Sequence, residues 1–335
     1  MQLWNISQAA VDLIDERIKN FNIECDKKSG GIHAATSLSK FKEYENDLRY
    51  KLKTYNYDKL EVLDKATADH EIGSSLYYGG ILDRGAGHLH PLKYAIGLMN
   101  AALSLGVKVY ENSPAKKILQ NSTDIEVLIE NGKVNAKKIA VCCNAYIEGL
   151  NLGIENKVMP CETYIVCTEP LNIDLQQNIL PNDYCVSDTN FDLNYYRLSE
   201  SKRMIFGGAV GYSLKNVEGL KKRTKKQLNR VFPQLQNIKV DYIWGGLIAI
   251  TVNRVPDIGM INEKIFYAQG FSGHGVAFTG IAGKILAENI VSGKTSEMEA
   301  FEKIKHRNFP GGRLFRMPLL VTISAMQRMM DIFNV

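Results

Sequence analysis

The sequence predicts an α/β composite fold with an α+β middle, on three observations. Up to about residue 157, helical and strand patterns alternate. From about Val158, strand patterns follow one another with a single intervening helix, which reads as an antiparallel sheet. From Lys264, an apolar strand, a glycine turn and a long helix restore the α/β pattern. We therefore expect residues 1–157 and 263–335 to build one open α/β domain, the first segment also lending helices and strands to its neighbour. Residues 158–262 are expected to form an inserted antiparallel domain.

Taken in order, Ser7 to Phe21 carries Ala10, Leu13, Ile14 and Ile18 at helical spacing, with Ser7 as N-cap. GGIHAATS reads as a strand, Leu38 to Lys53 as a charged helix, and SLYYGGILD as another strand. Pro91 opens a helix that runs to Leu105 and that Gly106 closes. VKVYEN follows as a short strand, then AKKILQ, DIEVLIENG and VNAKKIAVCCNA as three β segments. The last of these puts Cys142 and Cys143 inside a buried strand. VMPCETYIVCTEP, NYYRLS, RMIFGGAV and KVDYIWGGLIAIT are the strands of the insert, and Asn216 to Val231 is its helix. Lys264 to Ala268 is the returning strand, followed by glycines 270, 273 and 275 and a helix with Leu286, Ala287 and Ile290.

The 335 residues are 45% hydrophobic and 23% charged, which supports a large core and excludes global disorder. A net charge of +5 suits a small anionic cofactor and does not by itself argue for nucleic acid. KKRTKK (Lys221 to Lys226) lies on the predicted insert helix without interleaved aromatics, so we expect a solvated face rather than a nucleic-acid site. The six cysteines, at 25, 142, 143, 161, 167 and 185, form no CxxC and no metal spacing. Reduced cysteines, with charges where a leader would need an apolar core, point to a cytoplasmic protein. MPLLVTISAM (Met317 to Met326) is about half a bilayer span and is expected to be a helix packed on the body, not a transmembrane segment.

A strand, a glycine turn and a helix N-terminus make a place for an anion or an electron-rich ring edge. QGFSGHGVAFTGIAGKILAENI, which has that form, resembles the second flavin-contact segment of the D-amino-acid oxidase-like (DAO) family of FAD-dependent oxidoreductases. YYGGILDRGAGHLHPLKYAIGLMNAALSLGVKVYENSPAKKI, TYIVCTEPL, FDLNYYRLS, WGGLIAITVNRVPDIG and NFPGGRLFRMPLL are similar to its γ-glutamylputrescine oxidoreductase branch, in order from about Asn5 to Phe333. The resemblance implies an FAD-binding Rossmann-like domain with an inserted antiparallel substrate domain. It also implies oxidation of an amine C–N bond in a γ-glutamylputrescine-like substrate. Hydride passes to the flavin, the imine hydrolyses to an aldehyde, and dioxygen or an electron carrier reoxidises the flavin.

That family opens with a strand, a GxGxxG turn and a helix that hold the FAD pyrophosphate. GAGHLH (Gly85 to His90) lacks the third glycine, and GGAVG (Gly207 to Gly211) has the wrong spacing. We therefore expect an incomplete FAD-binding domain, through a misplaced start or a split gene, and a chain that self-associates or is completed by an N-terminal chain. A non-catalytic remnant acting as a binding module, and a glycine- or sarcosine-type amino-acid oxidase, are the alternative functions.

By the resemblance, Gly270, Ser272, Gly273, His274 and Gly275 lie against the flavin's pyrimidine edge. There, backbone N–H groups and the helix dipole stabilise charge on the reduced ring; tight strand–helix packing would also ask for glycines. By the same resemblance, Asn144 and Ala145 fall where the family approaches the cofactor with backbone, and Ala115 falls at its adenine contact. His88 and His90, in GHLHP, are candidate catalytic residues with His274. They contact substrate or flavin and assist amine deprotonation, or they cap the Pro91 helix. Strand alternation puts Tyr195 and Arg197 on one face and Tyr196 on the other; one face lines an amine pocket or simply packs the sheet.

Trp244 to Gly259 departs from the family's amino-acid-oxidising pattern, GLRPxTxDxxP, whose arginine pairs with a substrate carboxylate. Aligned on Gly246, Leu247, Thr251 and Pro256, that arginine is Ile248 and the proline after it is Ala249. An amine therefore fits better than an α-amino acid. Trp244, Ile248 and Arg254 are the remaining substrate candidates, Arg254 binding either a distal carboxylate or a local carbonyl.

Overall fold

A computed structural model describes residues 1–121, 123–147, 149–190, 192–211 and 217–310. The expected C-terminal helix at Met317 to Met326, and Asn216 as the start of the insert helix, lie outside the described residues. The first half runs α1 (Gln2–Phe21), β1 (Lys28–Ala34), α2 (Leu38–Tyr55), β2 (Leu60–Leu63), α3 (Lys65–Ile72), β3 (Gly80–His88) and α4 (Pro91–Ser104). Then come β4 (Lys117–Gln120), β5 (Ile125–Ile129), β6 (Gly132–Ala136), β7 (Ile139–Val141) and β8 (Val158–Pro170). The rest is α5 (Ile173–Asn178), β9 (Cys185–Asp188), β10 (Tyr195–Leu198), β11 (Arg203–Gly211), α6 (Val217–Val231), β12 (Val240–Thr251), β13 (Asp257–Asn262), β14 (Ile265–Gln269), α7 (Gly275–Ser292) and α8 (Ser296–Glu302).

The chain divides into two compact units. Among the described residues, unit 1 gathers Met1–Ile23, Lys93–Cys161 and residues 247–310; unit 2 gathers Glu24–Leu92 and Glu162–Gly246. Residues 24–92 of the expected first segment thus fall in unit 2, and residues 247–262 of the expected insert fall in unit 1. Residues 24–92 join the inserted segment because β1 pairs in parallel with β9 and antiparallel with β3.

Unit 2 is built on an eight-stranded sheet in the order β12-β8-β11-β10-β9-β1-β3-β2. Of the pairings described, β1 with β9 is parallel and the others are antiparallel. Register makes Leu82, Ile32, Val186, Tyr196, Phe206 and Val166 one row across the sheet. All six are buried, with Leu228, Val231 and Phe232 completing the core from α6 and its end. The next row, Ile81, His33, Ser187, Tyr195, Gly207 and Ile165, faces the other way, because successive side chains alternate across a sheet. On α6, Thr224 is fully buried and Arg223 pairs with Asp192 at 2.6 Å, so the basic run is partly structural.

Unit 1 holds a three-stranded sheet, β13-β14-β7, with β14 parallel to β7 and every residue of β14 buried. Ile6 and Ala10 of α1 and Ile281, Ala282, Ile285 and Leu286 of α7 share one core with Phe266 and Ala268. A separate antiparallel meander joins β4, β5 and β6.

Several local expectations are corrected. Helix α1 starts at Gln2, so Ser7 lies inside it and donates to Trp4 O at 2.7 Å instead of capping. Buried Ile6 extends the core face past Ser7. VKVYEN is irregular, and its Val107, Val109 and Tyr110 are exposed; β-branched composition does not make a strand without a partner edge. VNAKKIAVCCNA is not one β segment: β6 and β7 divide it, and Cys142, beyond the end of β7, is exposed. SLYYGGILD enters its strand only at Gly80, with buried Tyr77 ahead of it. No helix of the described residues is long and apolar enough to cross a membrane.

Candidate functional site

The glycine turn is clamped from two sides. After β14, Gly270 takes a left-handed φ of 72° and donates its N–H to Asn144 Oδ1 at 2.9 Å. Asn144, also left-handed at 48°, sits in the 3-10 turn after β7. Ser272 N donates to Ala249 O at 2.9 Å, and Thr251 N donates to Ser272 Oγ at 3.3 Å, which ties the turn to the end of β12. Asn144 thus holds the turn through its side chain. Ala145 is buried with Val158 and Ala249 in a small cluster. Ala115 lies in exposed irregular chain ahead of β4, and none of these contacts involves it.

Beyond the clamp the turn opens outward. Gly273 has a φ of 96°, and a Cβ there would meet nothing within 4 Å. His274 is the exposed N-cap residue of the 18-residue α7; its side chain makes no capping hydrogen bond, and the first turn carries no acidic residue. Uncapped N–H groups at the positive end of a long helix, with clear space over Gly273, suit an electron-rich ring edge. Gly270, Ser272, Gly273, His274, Gly275 and Asn144 are brought together; the N–H groups of Gly270, Ser272 and His274 are spent inside the protein, so the open Gly273 and the start of α7 are the part that suits a flavin edge.

One group near the turn had no signal in the sequence. Buried Asp257, the first residue of β13, accepts from Tyr267 Oη at 3.1 Å and from Gln269 Nε2 at 3.0 Å. Lys157 Nζ lies 3.7 Å from its other side and bonds Tyr267 Oη at 3.1 Å. His306, 4% exposed, lies 3.9 Å from Asp257 Oδ1, and burial holds its pKa below the usual histidine range. Gln269 immediately precedes Gly270, so this cluster anchors the strand that delivers the turn.

The amine-side candidates separate by face. Tyr196 is corrected: it is fully enclosed in the unit 2 core, stacked on Phe206 at 5.4 Å and bonded to Tyr77 Oη at 3.1 Å. Burial of both phenols leaves no face for a ligand. Tyr195 lies on the opposite, half-open face, its ring across Gly207, where a Cβ would fall 2.2 Å from Tyr195 Cζ. Trp244, on β12, is 46% exposed. Ile248 is half-buried on β12, and Arg254 is exposed in the turn to β13 with a φ of 63°. Arg254 makes no ion pair among the described residues; only its backbone N–H is engaged, with Thr251 O at 3.2 Å.

His90 donates its backbone N–H to Cys25 O at 2.7 Å just before α4. His88 Nε2 bonds Asp183 O at 2.7 Å, and a carbonyl partner requires Nε2 to carry the proton. Nδ1 is then a bare lone pair, buried and without a hydrogen-bond partner. Burial, the largest influence, holds the His88 pKa below the usual histidine range. A histidine depressed on folding contributes stability at neutral pH that drains away as pH falls from about 6.5 toward the lower folded value. Urea midpoints at about pH 7.5 and about pH 5.5 should show that loss. His88→Gln should flatten it in part, since His306 adds to the same slope.

The family model described as FAD dependent oxidoreductase (DAO) matches residues 1–289. A probable oxidoreductase OrdL of Haemophilus influenzae is 36% identical over 319 residues, covering 94% of this chain and 73% of that protein. Gamma-glutamylputrescine oxidoreductase of Escherichia coli K12 is 36% identical over 321 residues, covering 96% of this chain and 75% of that protein. Among solved structures, L-proline dehydrogenase from P. horikoshii superposes with a TM-score of 0.75 at 20% identity, covering 88% of this chain and 81% of that one. That likeness concerns the fold.

Proposed function

We propose, on the premise that the chain belongs to the DAO family of FAD dependent oxidoreductases and to its OrdL/γ-glutamylputrescine oxidoreductase branch, that it oxidises the C–N bond of a γ-glutamylputrescine-like amine. FAD, when bound, supplies the two-electron acceptor for the hydride on the carbon next to nitrogen. Gly270, Ser272, Gly273, His274 and Gly275 hold its ring edge, and the α7 N-terminus stabilises negative charge there. Asn144 keeps the turn in place. Only a neutral amine gives up hydride readily, and His88 is the first candidate to take the ammonium proton, although its Nδ1 is buried. His90 and His274 are secondary candidates for the same proton. Tyr195 and Trp244 offer aromatic surface to a cationic chain.

The observation that carries the substrate class is Ile248, an apolar side chain where amino-acid-oxidising members of the family place arginine. The test is a visible spectrum of the FAD-loaded protein, mixed without oxygen with γ-glutamylputrescine, glycine or sarcosine. Bleaching of the flavin band by γ-glutamylputrescine alone is expected. Bleaching by glycine or sarcosine alone overturns the amine reading. Readmitting dioxygen, or an artificial electron carrier, then tells which reoxidises the flavin.

A further inference from the structure

The face of the unit 2 sheet that carries Tyr195 also carries a cation without a counterion. Arg197 follows Tyr195 by two residues on β10, so the two side chains share that face about 7 Å apart along the strand. Ile205 stands directly across from Arg197 on β11, and Cys167 is the next residue in that row. The guanidinium is half-buried, and its one hydrogen bond among the described residues is NH1 to Leu198 O at 3.1 Å. It has no ion pair among those residues. The groups that favour its charge, Cys185 first and then Asp183 and Asp26, act without an ion pair; Asp183 Oδ2 is taken by Lys202 at 2.9 Å and its Oδ1 lies 4.0 Å from His88 Nε2. Burial, the largest influence, lowers the Arg197 pKa, which marks a desolvation cost the protein itself does not offset.

A planar guanidinium with most of its N–H donors unused matches a carboxylate in bidentate fashion. The relative named gamma-glutamylputrescine oxidoreductase has in its name an amine whose far end is a glutamyl group with a free carboxylate. We propose that Arg197 anchors a carboxylate at the end of the substrate remote from the reacting amine. With Ile248 apolar, the sequence has moved its anion-binding arginine from the family's position on β12 to β10. The specificity is then for amines bearing a distal carboxylate, rather than for plain diamines or α-amino acids. This inference rests on the amine reading above, and its test separates the two.

The test is calorimetric binding of γ-glutamylbutylamide, which keeps the glutamyl carboxylate and α-amine but lacks the terminal amine of the putrescine arm, and of its α-carboxamide, to the FAD-loaded protein. Wild type should prefer the carboxylate by about 10- to 100-fold, the size of a charged hydrogen-bonded contact. Arg197→Gln should abolish that preference without weakening the carboxamide, and Arg197→Lys should restore part of it. In turnover, the Arg197→Gln effect should fall mainly on KM for γ-glutamylputrescine and spare N-acetylputrescine. Equal weakening of both ligands would make Arg197 a structural residue and overturn the proposal, as would a wild type without preference. A wild type that binds the carboxylate yet oxidises no amine would sink the amine reading and leave this anchor standing.

Discussion

Asp257→Ala is expected to destabilise the protein by about 3 kcal/mol, the lower end of what breaking a buried ion pair costs. Alanine would strip an acceptor from Tyr267 Oη and another from Gln269 Nε2, both in buried surroundings. It would also leave Lys157 beside a tyrosine whose phenol pKa burial and Asp257 together raise. Lys157 retains 27% side-chain exposure, so water recovers part of the loss, which is why the lower end applies. The urea midpoint measures it. Asp257→Asn keeps one acceptor but turns an amide N–H₂ toward Gln269 Nε2 or Tyr267 Oη, and should cost less than alanine. An alanine variant with an unchanged midpoint would show that the cluster is not what holds β13 against β14.

That cluster illustrates what a single sequence withholds. Lys157, Asp257, Tyr267, Gln269 and His306 come from well-separated segments, and no spacing among them signals a site. His306 lies 3.9 Å from Asp257 although it follows α8 and Asp257 opens β13, far back in the chain. The same holds for the sheet of unit 2. Its local strands were legible: β8 covers Val158–Pro170 as its alternation implied, and β10 and β11 follow theirs. That residues 24–92 would join them was not legible, because the β1–β9 pairing spans a long stretch of chain and leaves no periodic trace. Alternation correctly put Tyr195 and Tyr196 on opposite faces. Which face is core depends on α6, whose Leu228 and Val231 decide it. The glycine turn was readable because its chemistry is local: left-handed residues and a helix start must be adjacent in sequence to work.

Gly270→Val and Gly273→Ala should separate the two reasons a strand–helix turn uses glycine. At Gly270, a Cβ would lie 2.4 Å from Thr251 Cγ2 and 3.2 Å from Val158 Cγ1, at a φ of 72°. Left-handed backbone costs a β-branched residue about 1–2 kcal/mol, and forcing the methyls into packed surroundings adds about 1–3 kcal/mol. The flavin-free protein should therefore lose about 2–5 kcal/mol, and the turn its hold on Asn144. Gly273→Ala meets open space, so only the left-handed backbone cost of about 1–2 kcal/mol remains. If Gly273 only serves packing, its variant takes up FAD like wild type. If a flavin edge comes to the clear space above it, the methyl group stands in the way. Visible titration with FAD then shows weakened uptake in a chain whose urea midpoint has fallen less than that of Gly270→Val. Lost stability at 270 with lost affinity at 273 is the pattern expected. Full FAD affinity in Gly273→Ala would return this turn to a purely structural role and place the cofactor's contacts elsewhere.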